Sequence, residues 1–128
     1  MDTPSRPPFN DNPETSSGDT FWLHDLRIDV VTDGRPITCG HHEGEAFTVE
    51  GEDLVFSKDT RFSLYALAAL LPLLPAKQRV SDPNDWMSTD DEVACPDPHC
   101  GARFRIVRTA RRAFRHALTT GLPGHRER

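Results

Sequence analysis

Apolar residues recur along this chain with two different periods. In "LHDLRIDVV" Leu26, Ile28 and Val30 occupy alternate positions, the spacing of a half-buried strand. "TDGRP" follows, and its Asp-Gly and Pro are turn chemistry. "GEAFTVEGEDLVF" reads as two short strands, with Phe47 and Val49 on one face of the first and Leu54 and Phe56 in the second. Gly51 between them suits a tight hairpin. The period then changes in "SKDTRFSLYALAALLPLLP", where Phe62, Leu64, Leu67, Leu70 and Leu71 recur at helical spacing and Asp59 or Thr60 can cap the start. This helix is apolar nearly all round and is expected to lie on the sheet as the main core element, with Pro72 and Pro75 ending it.

"AKQRVSDPNDWMSTDDE" is a polar connection with Trp86 as its aromatic anchor. "EVAC" reads as a short strand and "ARFRIV" as the next, with Phe104 and Ile106 inward and Arg103 and Arg105 outward. In "RTARRAFRHAL" the residues Ala110, Phe114, Ala117 and Leu118 share one helical face against an arginine surface, and Gly121 and Pro123 stop it. There are no internal repeats. The expected fold is α+β: a small, mostly antiparallel sheet packed on one apolar helix, with a basic C-terminal helix appended. The expected organisation is a disordered leader over 1–20, a core domain over 21–108, and a basic helix and tail over 109–128.

Composition changes this picture at the ends. The 128 residues allow one domain, yet apolar residues make up only 36% and there are 11 prolines. The leader "MDTPSRPPFNDNPETSSGDT" holds four prolines and one aromatic, too little apolar surface to offset the entropy of ordering it. It lacks the basic start and apolar run of a signal peptide, and no stretch reaches the eighteen or so apolar residues that span a bilayer. A cytoplasmic protein is therefore expected, in which three cysteines serve as thiols or metal ligands rather than disulfides. Net charge is −5, but residues 101–128 carry eight arginines against Glu127 alone, which leaves −12 on residues 1–100.

The chemistry concentrates in two turns. Cys39 and His42 have C-x2-H spacing, and Cys95 and Cys100 have C-x4-C spacing with His99 between them. Zinc takes four nitrogen or sulfur ligands in a tetrahedron, commonly as pairs from two loops. A closed site would use Cys39, His42, Cys95 and Cys100, with His41 and His99 as alternates. An open one would use Cys39, a histidine and Cys95, leaving the fourth position to water or substrate. Asp97 in Cys-Pro-Asp-Pro can accept backbone N–H groups of its turn or orient a ligand. A second candidate is a reactive thiol, Cys95 or Cys39, activated by His41, His42 or His99. The run Asp90, Asp91, Glu92, with Asp82 and Asp85 before it, could hold Mg²⁺ but lacks any phosphate-binding loop and reads as a solvated loop. Arg108, Arg111, Arg112 and Arg115 could meet a partner or an anion. The acidic body supplies the nearer counter-charges, and no nucleic-acid motif accompanies the patch.

The stretch from about Leu26 to Arg108 carries further motifs in a fixed order: Cys39 followed by Gly44, Glu45 and Phe47, then "ALLP" (Ala69 to Pro72), then "CPDP" (Cys95 to Pro98) and "FRIVR" (Phe104, Ile106, Arg108). In these it resembles a family of small, poorly characterised bacterial proteins whose pattern is a Cys-containing turn with Gly-Asp-x-Phe, a mid-chain helix ending Ala-Leu-x-Pro, and Cys-Pro-Asp-Pro before Phe-x-Ile-x-Arg. The resemblance implies membership and no activity. That family often has a cysteine near the start of the mid-chain helix, where this chain has Ser63. Cys100 and the His41–His42 pair do not carry over in full.

The expected function is thus a small intracellular metal-binding protein, zinc being the metal, with a Cys/His site between two turns. An open site would let the metal act as a Lewis acid in a small tailoring reaction. Phe47, Phe56, Phe62, Tyr65, Trp86 and Phe104 could line an apolar pocket or simply form the core. The alternatives are a metal-free accessory protein docking a partner through the basic helix, and a thiol enzyme using Cys95. The partner would be a small molecule or a protein, a second copy included; nucleic acid is disfavoured, and no membrane span is expected.

Overall fold

The computed structural model describes residues 18–120. Its elements in chain order are β1 (Thr20–Thr32), β2 (Gly44–Glu50), β3 (Asp53–Phe56), α1 (Leu64–Leu70), α2 (Leu74–Gln78), α3 (Trp86–Thr89), β4 (Glu92–Ala94), β5 (Ala102–Arg115) and α4 (His116–Thr119). The strands make one antiparallel sheet in the order β3-β2-β1-β5-β4. Alternation builds its buried face: Leu26, Ile28 and Val30 of β1, Phe47 and Val49 of β2, and Ala102, Phe104 and Ile106 of β5 are all buried. Ala66, Leu70 and Leu74 from the helices join the same cluster, as do Cys95 and Cys100. The β2–β3 hairpin pairs Glu50 with Asp53, and Gly51 turns it at φ 66°, a region open to glycine. Its N–H donates to Asp25 (3.1 Å), and its carbonyl accepts from Gln78 Nε2 (2.6 Å). No helix among the described residues is long and apolar enough to cross a membrane.

The single apolar helix expected over the middle of the chain is two short ones. The start lies at Ser63 rather than at Asp59 or Thr60: its hydroxyl accepts from the N–H groups of Tyr65 and Ala66, which satisfies donors that have no partner within the helix. Pro72 separates α1 from α2. Pro75 does not end a helix; it lies in the first turn of α2, where its missing N–H costs nothing. Nor is α1 buried all round, since Leu64 is 72% and Tyr65 77% exposed. Trp86, expected as the aromatic anchor, is 76% exposed. Lys77 ties down the polar connection instead, its buried Nζ donating to the carbonyls of Met87 and Asp90.

The basic helix expected from residue 109 is strand through Arg115, and only His116–Thr119 are helical. Arginine and alanine favour helix weakly, and pairing overrides so small a preference. The side chains explain the choice. Arg112 makes a two-pronged ion pair with Asp25 (3.0 and 2.7 Å). Arg108 donates to the carbonyls of Lys77 and Arg79 and to Ser81 Oγ. Arg105 pairs with Glu92 at 2.7 Å. The arginine surface is thus largely spent on the acidic body.

The chain divides into two compact units, Leu23–Arg112 and a second whose described residues are 18–22 and 113–120. In the second, Phe21 stacks on Phe114 at 5.3 Å, Asp19 pairs with Arg115 at 3.4 Å, and the Asp19 carbonyl accepts the His116 N–H. The leader expected over 1–20 and the tail after residue 120 lie almost wholly outside the described residues.

Burial, and then the guanidinium groups of Arg108 and Arg111, push His24 from 6.5 down to about 4. As pH falls the unfolded chain takes up this proton first, so stability is complete above about 6.5 and is lost towards 4. His41 shifts in the same direction. The melting temperature should therefore drop between pH 7 and 4.5, and drop less in His24→Gln. Equal drops in the two proteins would contradict this account of His24.

Candidate metal centre

Two loops at one end of the sheet carry the sulfur atoms. The first follows β1 and holds Cys39; the second joins β4 to β5 and holds Cys95 and Cys100. Asp33 begins the connection. Its carboxylate accepts the Arg35 N–H (2.9 Å) and binds the guanidinium groups of Arg35 and Arg103. The Arg35 side chain and then its N–H hold the Asp33 carboxyl down at about 2. So fixed, Arg35 reaches across to the carbonyls of Pro98 (2.9 Å) and Cys100 (3.3 Å). The backbone repeats the link: Asp33 N–H donates to the Gly101 carbonyl and Gly101 N–H to the Pro36 carbonyl, both at 2.9 Å. The approach is so close that a Cβ on residue 101 would lie 2.1 Å from the Arg35 carbonyl oxygen.

This clamp gathers three sulfurs. The Sγ atoms of Cys39, Cys95 and Cys100 lie within 4.8 Å of one another, with Cys39 to Cys100 at 2.6 Å and Cys95 to Cys39 at 3.7 Å. All three are free thiols. For zinc–sulfur bonds of about 2.3 Å a tetrahedron separates its sulfurs by about 3.8 Å. The Cys95–Cys39 distance already matches, and metal entry would spread the other pair by about an ångström. Both Cys39 and Cys100 are followed by glycine, and each sulfur accepts the N–H of the residue two further on, His41 and Ala102 respectively. Donors aimed at sulfur stabilise thiolate and tune a metal bound to it.

The pair shares its charge unequally. Burial, then hydrogen bonds with Cys100 and Cys95, push Cys39 up to about 12. Burial also acts to raise Cys100, but the Cys39 thiol and the N–H groups of Ala102, Thr38 and Cys39 outweigh it and bring Cys100 down to about 6. Negative charge in the pair is thus favoured on Cys100, with Cys39 as its hydrogen-bond donor. An anionic thiolate is the form that ligates metal or attacks as a nucleophile.

The structure thus brings together three residues of the closed set, Cys39, Cys95 and Cys100, and not His42. His42 and His99 are exposed, and His42 lines a cavity of about 360 Å³ with Arg35, Glu43 and His41. Asp97 accepts the His99 N–H at 2.9 Å, and its carbonyl accepts the Cys100 N–H, which closes the turn. The acidic residues serve structure: Asp85 caps α3, Asp82 accepts the Asn84 N–H, and Glu92 holds Arg105. Arg111 is half-buried on β5. Phe47, Phe62 and Phe104 are core, stacked edge-on at 5.2 and 5.5 Å, while Phe56 and Tyr65 reach the surface.

His41 is the residue the spacing does not single out. It is only 9% exposed and packs against Phe62 (4.8 Å) and Phe104 (5.0 Å). Its Nε2 has no hydrogen-bond partner. Burial, and then the neighbouring His42, lower its pKa and favour the neutral ring. His41 lines a cavity of about 490 Å³ whose walls include Cys39, Cys95, Ser63 and Tyr65. The two Cys-Gly dipeptides are the signal that could have pointed to the sulfur-directed N–H groups, whereas nothing in the spacing marked His41 over His42.

Comparison of the chain with models of known protein families, with curated proteins and with solved structures finds no match.

Because Gly101 sits where no side chain fits, Gly101→Ala should destabilise the fold by about 1–3 kcal/mol and separate Cys100 from Cys39. Thermal unfolding should show a melting temperature lowered by several degrees, and zinc should bind more weakly. A variant with unchanged melting and zinc affinity would show that the clamp does not set the sulfur positions.

Proposed function

We propose that the protein binds a single metal ion, zinc, through Cys39, Cys95 and Cys100. The observation that carries this reading is the convergence of three sulfurs from two loops, with backbone N–H groups directed at the Cys100 sulfur. Sulfur ligands suit zinc, Cu(I) and iron–sulfur centres, and three protein ligands with one position left open are the pattern of a reactive rather than a purely structural zinc. The open position would bind a small molecule or activate water. Binding to a pre-clamped site would also add to the stability of a small domain. Membership in the small bacterial family remains part of this proposal, on the motifs around Cys39, Cys95 and Phe104, and so does a reducing compartment that keeps the thiols free.

A second reading has one specific observation in its favour: the 2.6 Å separation of Cys39 and Cys100. It makes the pair a thiol centre, with Cys100 as the thiolate rather than Cys95. Docking through a basic helix loses its element, since residues 109–115 are strand.

Untagged protein purified without chelator should carry about one zinc per chain and release thiol protons as the metal enters. Cys95→Ser and Cys100→Ser should each weaken zinc at least about 100-fold, by analogy with and beyond the loss seen for outer partners of a metal. Metal-free protein that takes up no zinc, and that crosslinks Cys39 to Cys100 under mild oxidant, would overturn the metal reading in favour of the thiol pair.

A further inference from the structure

The three sulfurs do not share the same surroundings. Cys100 is fully buried, whereas Cys39 and Cys95 form part of the wall of the 490 Å³ cavity. A metal held by all three therefore has protein behind it on the Cys100 side and the cavity on the other. We infer that this cavity is a binding site for a small neutral nitrogen heteroaromatic, of the imidazole class, which fills the fourth position on the metal. The inference rests on the three-cysteine metal site and goes on to name what that site takes.

Charge selects the class. Three thiolates around a divalent ion leave one net negative charge, and Asp97 adds a carboxylate to the wall. No Lys or Arg stands among the lining residues. A phosphate, carboxylate or external thiolate would enter against this field with nothing to neutralise it. A neutral ring nitrogen is a good ligand for the metals that sulfur also binds. Shape agrees: Tyr65 and Pro96 present flat apolar surfaces at the rim, and the volume exceeds what one five-membered ring requires.

His41 supplies the polar contact. His41 lines this cavity and the 360 Å³ one beside it, and its Nε2 is buried without a partner, a state that costs stability unless some ligand satisfies it. The Phe62 and Phe104 rings hold the imidazole in place. A bound azole coordinates by its unprotonated nitrogen and keeps one N–H on the other, which His41 or Asp97 can accept. Histidine here is a positioning residue for the ligand and not a metal ligand.

The test uses full-length protein loaded with cobalt(II), whose near-ultraviolet sulfur charge-transfer bands report the three-cysteine site and whose visible bands report the fourth ligand. Imidazole should shift the visible bands saturably, and azide at the same concentration should not. His41→Phe keeps the ring packing and should weaken imidazole about fivefold, the loss of one hydrogen bond. Tyr65→Ala, at an exposed position, should weaken it too without altering the melting temperature. Charge-transfer bands with no imidazole response, or an equal response to azide, would overturn the ligand assignment and leave the metal site standing. Equal imidazole affinity in His41→Phe would overturn the role given to His41. Absence of the charge-transfer bands would overturn both the metal site and the ligand.

Discussion

The two hydrogen bonds made by Gly101, from its N–H to the Pro36 carbonyl and to its carbonyl from the Asp33 N–H, join loops that are some sixty residues apart in the chain. Everything at the candidate centre depends on that junction. It places Cys100 against Cys39, and it leaves no room for a side chain at residue 101. Arg35 reinforces it by spanning from the Asp33 carboxylate to the carbonyls of Pro98 and Cys100. The ion pairs themselves are exposed and each contributes little in water. Their worth is directional, because a planar guanidinium fixes the relative height of the two loops.

From that geometry the electrostatics follow. Two thiols brought within hydrogen-bonding distance cannot both ionise cheaply, and the backbone N–H groups decide which one does. Cys100 is favoured because Ala102, Thr38 and Cys39 all direct N–H groups at it. A cation arriving at this point would meet the sulfur on which negative charge is favoured and would displace the proton of Cys39. The small core makes such a staple valuable: its fully buried large side chains are few, Phe47, Phe104, Leu26, Ile28 and Leu70 among them, and domains of this size have modest stability to spare.

Much of this was legible in the sequence, for reasons that differ from element to element. Leu26, Ile28 and Val30 announced β1 because period-2 alternation survives wherever one face of a sheet is buried. Gly51 marked the hairpin because few other residues take its backbone conformation. The cysteines stood out because sulfur is scarce and falls in two turns. What failed was local reading of segments governed by distant partners. Residues 109–115 carry a helix-like pattern, yet Asp25 draws Arg112 into a strand. Ser63 was as visible as Asp59 and Thr60, and nothing local ranks three capping side chains within five residues. His41 and His42 are neighbours in sequence, and only Phe62 and Phe104 decide which is buried.

X-ray absorption at the zinc edge of the zinc-loaded protein tests the central claim most directly, since it counts the scattering atoms around the metal. The account predicts three sulfurs at about 2.3 Å and one lighter nitrogen or oxygen atom near 2.0–2.1 Å. A first shell of nitrogen and oxygen alone, or of a single sulfur, would contradict it and would mean that the convergence of Cys39, Cys95 and Cys100 serves the thiols themselves.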